Sequence, residues 1–78
     1  MKNIIAVCEN GWILIGVQAE ETDTELCLKN SSVVRRWDNG KGIGGLAKEI
    51  NKHEYTLDEI GDVNIFKRKI LFTIPCEW

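Results

Sequence analysis

The chain is short of nearly everything a catalytic or metal-binding reading would need. Its 78 residues hold one histidine and one proline, and no two of its three cysteines, Cys8, Cys27 and Cys76, stand closer than nineteen positions. Zinc ligands come in short paired spacings and a disulfide framework needs an even set, so both are excluded on sequence grounds. Each cysteine lies in an apolar, strand-like stretch where a reduced thiol behaves as a small hydrophobe, which points to a reducing cytoplasm. Nucleophilic catalysis requires a base beside the nucleophile, and nothing around His53 supplies that pairing. The expectation is a protein that binds without catalysing, using no metal and no cofactor.

Neither sign of charge is in excess. Ten Lys and Arg face twelve Asp and Glu, a formal net charge of -2, which gives none of the uniform attraction to duplex nucleic acid that a basic domain shows. Long hydrophobic runs are missing as well: the amino-terminal run ends at Cys8 behind a single lysine, too short for a signal-peptide core or a membrane span. A soluble single domain over 1–78 is expected, with room for one modest core and self-association as a natural remedy for marginal stability.

What is present is mostly strand-like. Ile4 to Val7 and Trp12 to Val17 are β-branched runs separated by Glu9-Asn10-Gly11, and Asn-Gly supplies the positive φ angles of a two-residue hairpin turn. Glu20 to Glu25 carries four carboxylates and no apolar side chain, so it reads as a solvated loop. Leu26 and Leu28 alternate with polar residues as a third strand, Asn30-Ser31 reads as a turn, and Ser32 to Trp37 as a fourth strand with Val33, Arg35 and Trp37 on one face and Val34 and Arg36 on the other. Ile43, Leu46, Ala47 and Ile50 fall on one helical stripe, with Lys48, Lys52 and His53 at its far end, where cations suit the helix dipole. Thr56 to Glu59 has the form of a capping box for a single turn that Gly61 cuts short. Val63 to Phe66 and Ile70 to Ile74 complete the pattern around the charged turn Lys67-Arg68-Lys69, and Pro75 stops the last strand. The class expected is α+β: a small curved antiparallel sheet or partly open barrel of about six strands, with one helix.

The chemistry concentrates between Arg35 and Leu46. Arg35, Arg36, Trp37 and Lys41 adjoin Gly42, Gly44 and Gly45 where the helix opens. An anionic aromatic ligand would want such a set: arginine donates in a fork, glycine lets backbone N–H groups approach phosphate oxygens, and an indole stacks on a base. Gly40, Gly42 and Gly45 satisfy the dinucleotide spacing, but the βαβ context it needs does not fit in this chain. The competing structural reading has the glycines turning a corner, Trp37 filling core or interface, and the arginines pairing with the acidic loop. Trp12 and Trp78 are hard to bury in a small monomer and point to a homo-oligomer.

Through Val34-Arg35-Arg36-Trp37, Gly42 to Ala47, Leu57-Asp58 with Gly61-Asp62-Val63, and Leu71 to Cys76, roughly the second half of the chain resembles a family of small phage- and prophage-encoded proteins with no assigned activity. The resemblance implies the cytoplasm of an infected bacterial cell, and an accessory role against host defence. Such a protein would either sequester a cyclic or linear nucleotide signal, the better match to the residues, or grip a defence protein through its acidic loop. A purely structural phage component is the third possibility.

Overall fold

The computed structural model describes residues 2–37, 40–49 and 52–78. Five strands and one helix follow in order: β1 (Lys2–Cys8), β2 (Ile13–Glu21), β3 (Glu25–Trp37), α1 (Gly42–Lys48), β4 (Tyr55–Phe66) and β5 (Ile70–Pro75), with single 3-10 turns at Glu9–Gly11, Lys52–Glu54 and Lys67–Lys69. The sheet is antiparallel throughout, in the order β4-β3-β2-β1-β5. The α+β class is therefore observed, with five strands in place of about six. No helix among the described residues is long and apolar enough to cross a membrane.

The difference in strand number arises at Asn30-Ser31. Instead of a turn, the chain runs straight through as the 13-residue β3, and Asn30 absorbs an extra residue at φ 51, one bulge where the pattern had shown two strands. The capping-box segment Thr56 to Glu59 is likewise part of a strand, β4, because its residues pair with Ser32 to Arg36. At the first hairpin, Asn10 and Gly11 adopt the expected positive φ of 63 and 80, but the turn spans Glu9–Gly11 and leaves Trp12 outside β2, 58% exposed. α1 ends at Lys48, so His53 belongs to the separate turn Lys52–Glu54 and not to the helix end. Ile50, the last residue of the predicted stripe, lies outside the described residues.

β4 and β5 are the two edges of the sheet, yet only Lys67–Lys69 joins them. Four strand spacings would hold flat edges about 19 Å apart, and the step from Phe66 to Ile70 reaches at most about 14 Å. The sheet must therefore curl until its edges approach at that end. The fold line is visible in the register: Gly16 on β2 stands opposite the Asn30-Ser31 bulge, and Ser31 pairs with Gly61 (φ 76) on β4. Asn30 N–H donates to Asp62 Oδ1 at 3.1 Å, and the Ser31 hydroxyl donates to the Gly61 carbonyl. A Cβ on Gly16 would stand 2.8 Å from that of Ser31, so the strands cross the corner closer than a side chain permits.

Curling gives the sheet two apolar faces. On one, Ile5, Ile15, Val34 and Tyr55 meet Leu46 and Ala47 of α1, with Trp37, Leu57, Ile74 and Trp78 around them. On the other, Ile4, Ala6, Leu14, Leu26 and Leu28 are covered without any helix, because Val63 and Ile65 of β4 and Ile70 of β5 swing over them. Each fully buried Leu or Ile contributes about 1.5–3 kcal/mol. Trp78, expected at a subunit interface, is instead tied within the chain: its indole Nε1–H donates to Leu46 O at 2.8 Å while Glu77 N–H donates to Ala47 O at 2.7 Å. These bonds satisfy carbonyls that the last turn of a short helix leaves without partners.

Candidate functional site

Every residue of the predicted anion site lies at or just beyond the end of β3, but the strand divides them between two faces. Val34 pairs with Leu57 and Arg36 with Thr56, so Arg35 is an extra residue in the ladder. This bulge changes which side chains share a face: Val34 and Trp37 belong to the helix-side core, while Arg35 and Arg36 are both exposed on the opposite side. The alternation expected from sequence, with Trp37 beside Arg35 and one arginine per face, is overturned by that single insertion. Arg35 Nη1 donates to Asp58 Oδ2 at 2.9 Å, both side chains open to solvent, a pair worth under about 1 kcal/mol. Arg36 makes no ion pair among the described residues. The acidic hairpin takes neither arginine; its Glu21 is held by Lys67 at 2.6 Å.

On the helix side, Trp37 packs against Tyr55 with ring centroids 6.2 Å apart and planes tilted by 46°. Tyr55, itself buried, donates its hydroxyl to the Gly42 carbonyl. Lys41 Nζ lies 3.1 Å from Glu54 Oε1, and this hydrogen bond, with the charge behind it, raises the lysine pKa so that it stays protonated. Two glycines of the corner have structural work. Gly42 opens the helix at φ 64, and a Cβ on Gly45 would meet Lys41 Cβ at 2.5 Å and the Tyr55 hydroxyl at 3.1 Å. The Gly45 N–H is spent on Lys41 O at 3.2 Å. Gly44 is exposed with open space around it. Tyr55→Phe should cost about 1 kcal/mol by removing one buried hydrogen bond while keeping the ring. Chemical denaturation measures this, and an unchanged midpoint would mean the hydroxyl does not hold the corner.

No family model matches this chain, and no curated protein and no solved structure does either. The reading of the site therefore rests on its own geometry. Among the described residues no three His, Cys, Asp or Glu side chains converge on a point where a metal would sit. Burial raises the pKa of Cys8 and Cys76, which keeps both thiols protonated and poorly nucleophilic at neutral pH.

Sequence reasoning missed a cleft of about 300 Å³ at the seam of the curled sheet, between apolar Ile4, Leu26 and Ile70 and polar Gln18, Glu21 and Lys67. A hollow of about 430 Å³ shares Lys67 and is bounded by Asp23, Thr24, Phe66 and Arg68. Across the cleft, hydrogen bonding from Lys67, its charge, and a further bond from Gln18 hold the Glu21 carboxyl below the usual range. Its lining comes from β1, β2, β3, the turn before β5 and β5 itself, where Phe72 and Thr73 join Ile70, so no local pattern marks it. Neither hollow includes a residue of the predicted anion site.

Proposed function

We propose that the protein is a non-catalytic binding protein that holds a small anionic ligand of the nucleotide type at the end of β3. In the setting implied by the phage resemblance, it sequesters a signalling nucleotide in the bacterial cytoplasm and so blunts host defence. The carrying observation is the bulge at Arg35, which sets two neighbouring arginines on one exposed face with the solvent-screened Asp58 as their one ion-pair partner among the described residues. Two forks side by side suit a phosphate or a bridged pair of phosphates. Arg36 has the leading role, Arg35 exchanges Asp58 for the ligand, and Lys41 approaches from beyond the strand end. Trp37, held by Tyr55 on the helix side, lies on the face opposite the two arginines, so a base stacks on it only where the ligand wraps around the strand end. Gly42 and Gly45 shape the corner that carries Lys41, and Gly44 leaves room for close approach.

The test is a thermal-shift and calorimetric screen against linear and cyclic nucleotides. A ligand at 100 times its dissociation constant adds about 2.7 kcal/mol of stability. Arg36→Ala should weaken binding about 10- to 100-fold, the loss of one charged hydrogen-bonding group, with the unliganded melting temperature unchanged. Absence of any shift across the panel overturns the reading.

A second reading is favoured by the β2–β3 hairpin. Thr22 Oγ1 accepts from the N–H groups of Thr24 and Glu25, and Thr22 N–H donates to Glu25 O at 2.9 Å, so a tight turn presents Glu20 and Asp23 to solvent. An acidic surface held in this way suits a basic protein partner, and its binding would respond to Glu20→Lys and ignore Arg36→Ala.

A further inference from the structure

We infer that β5 pairs with β5 of a second copy, antiparallel and centred on Thr73, to form a two-fold dimer through a continuous sheet. The strand is an edge of the sheet, and three of its neighbouring large apolar side chains stand in solvent: Phe66 at 55%, Leu71 at 64% and Phe72 at 51% exposure. Its inner bonding follows from the register. Cys76 N–H donates to Asn3 O at 2.9 Å, and Ile4, Ile5 and Ala6 stand opposite Pro75, Ile74 and Thr73 without interruption. Antiparallel ladders alternate, so Ile74 is bonded to β1 while Thr73 turns both its N–H and its C=O outward.

That alternation selects the register. About a two-fold axis at Thr73, the two Thr73 residues exchange a pair of N–H···O bonds, Phe72 of each copy faces Ile74 of the other, and Leu71 faces Pro75. Phe72 and Ile74 make an aromatic and β-branched cross-strand pair, among the better combinations in a sheet. Pro75 and the bulge at Leu71 would ordinarily blunt an edge. Here the missing N–H of Pro75 falls at the margin of the pairing, where its carbonyl still accepts.

Charge complementarity makes the occupant a second copy. Ile70 to Pro75 carries no charge, and its two ends carry opposite ones: Lys67-Arg68-Lys69 before it, Glu77 after it. Antiparallel pairing at Thr73 places Glu77 of each copy opposite Lys69 of the other, with Arg68 alongside. Arg68 has no ion pair among the described residues, its guanidinium lying over the Phe66 ring at 5.7 Å, and Lys69 holds Glu9 only at 3.4 Å between two exposed groups. A parallel pairing would set like charges together.

Sedimentation and light scattering on the intact chain test this. A dimer is expected at tens of micromolar, and Phe72→Lys should give a monomer with an unchanged circular dichroism spectrum. Glu77→Lys should weaken association about tenfold, and adding Lys69→Glu should restore it. Hydrogen-bonded antiparallel partners hold Cα atoms about 5.5 Å apart, within disulfide range, so Thr73→Cys should form a covalent dimer under mild oxidation while the parent chain does not. A monomer at all concentrations, or an assembly indifferent to these changes, overturns the inference.

Discussion

Trp78→Ala should remove about 3 kcal/mol of stability, the low end for deleting a large aromatic from a core, since this ring is only half-buried. The chain has little to lose: a domain of this size holds about 4–12 kcal/mol in all. At about 4–8 °C per kcal/mol the melting temperature should fall by roughly 12–24 °C. Two effects add. The indole body leaves the cluster around Leu46, Ala47 and Cys76, and its N–H leaves the Leu46 carbonyl. Trp78→Phe separates them, since it keeps most of the apolar body and deletes only the bond, so its cost should be nearer 1 kcal/mol. Hydrogen exchange should report the same asymmetry locally, with the amides of Leu46 to Lys48 losing protection first as α1 frays. A Trp78→Ala protein that melts within a degree or two of the parent would mean that the ring does not clamp the helix.

That residue shows where sequence reading reaches its limit. A tryptophan that late in a short chain looks unburiable, and the inference to an interface was sound for an isolated residue. What it lacked was the seven-residue helix, too short to satisfy its own carbonyls, whose need is met by residues thirty or more positions away. Local signals fared better. Ile4 to Val7 and the run after Trp12, with Asn10-Gly11 between them, specify a hairpin through turn chemistry alone, and it forms. Leu46 and Ala47 lie on the buried side of the helix as their spacing predicts. The two bulges were illegible for a common reason. Asn30 is an extra residue relative to both β2 and β4, and Arg35 relative to β4, and nothing in β3 itself says how many residues its neighbours will offer. One bulge merged two predicted strands, and the other moved Trp37 to the face opposite Arg35. The types of residue at the candidate site were therefore readable, while their arrangement depended on a register set by a strand some twenty positions away.

Gly16→Ala should be severely damaging for a single added methyl, costing about 2–3 kcal/mol by overpacking. Its added carbon would stand 2.8 Å from Ser31 Cβ and 3.1 Å from both Ser31 Cα and the Lys29 carbonyl, and two of those three atoms are backbone that cannot rotate away. Ser31 cannot retreat either, being 1% exposed with its hydroxyl bonded to Gly61 O on the next strand. The strands would have to part along the line where the sheet folds, and the face carrying Leu28 and Leu26 would lose its cover. A double-mutant cycle identifies the cause. Ser31→Gly removes the obstructing Cβ and Ser31→Ala keeps it, although both delete the hydroxyl. Gly16→Ala should therefore cost at least 1 kcal/mol less in the Ser31→Gly background than in the Ser31→Ala background, a coupling well above the usual additivity error. Equal costs in the two backgrounds would place the strain elsewhere and remove Gly16 and Ser31 as the contact that sets the curl. Since the curl brings β4 and β5 together, a true clash here should also loosen the distant Glu21–Lys67 pair, which exchange at the amide of Lys67, bonded to Thr24 O at 2.8 Å, would register.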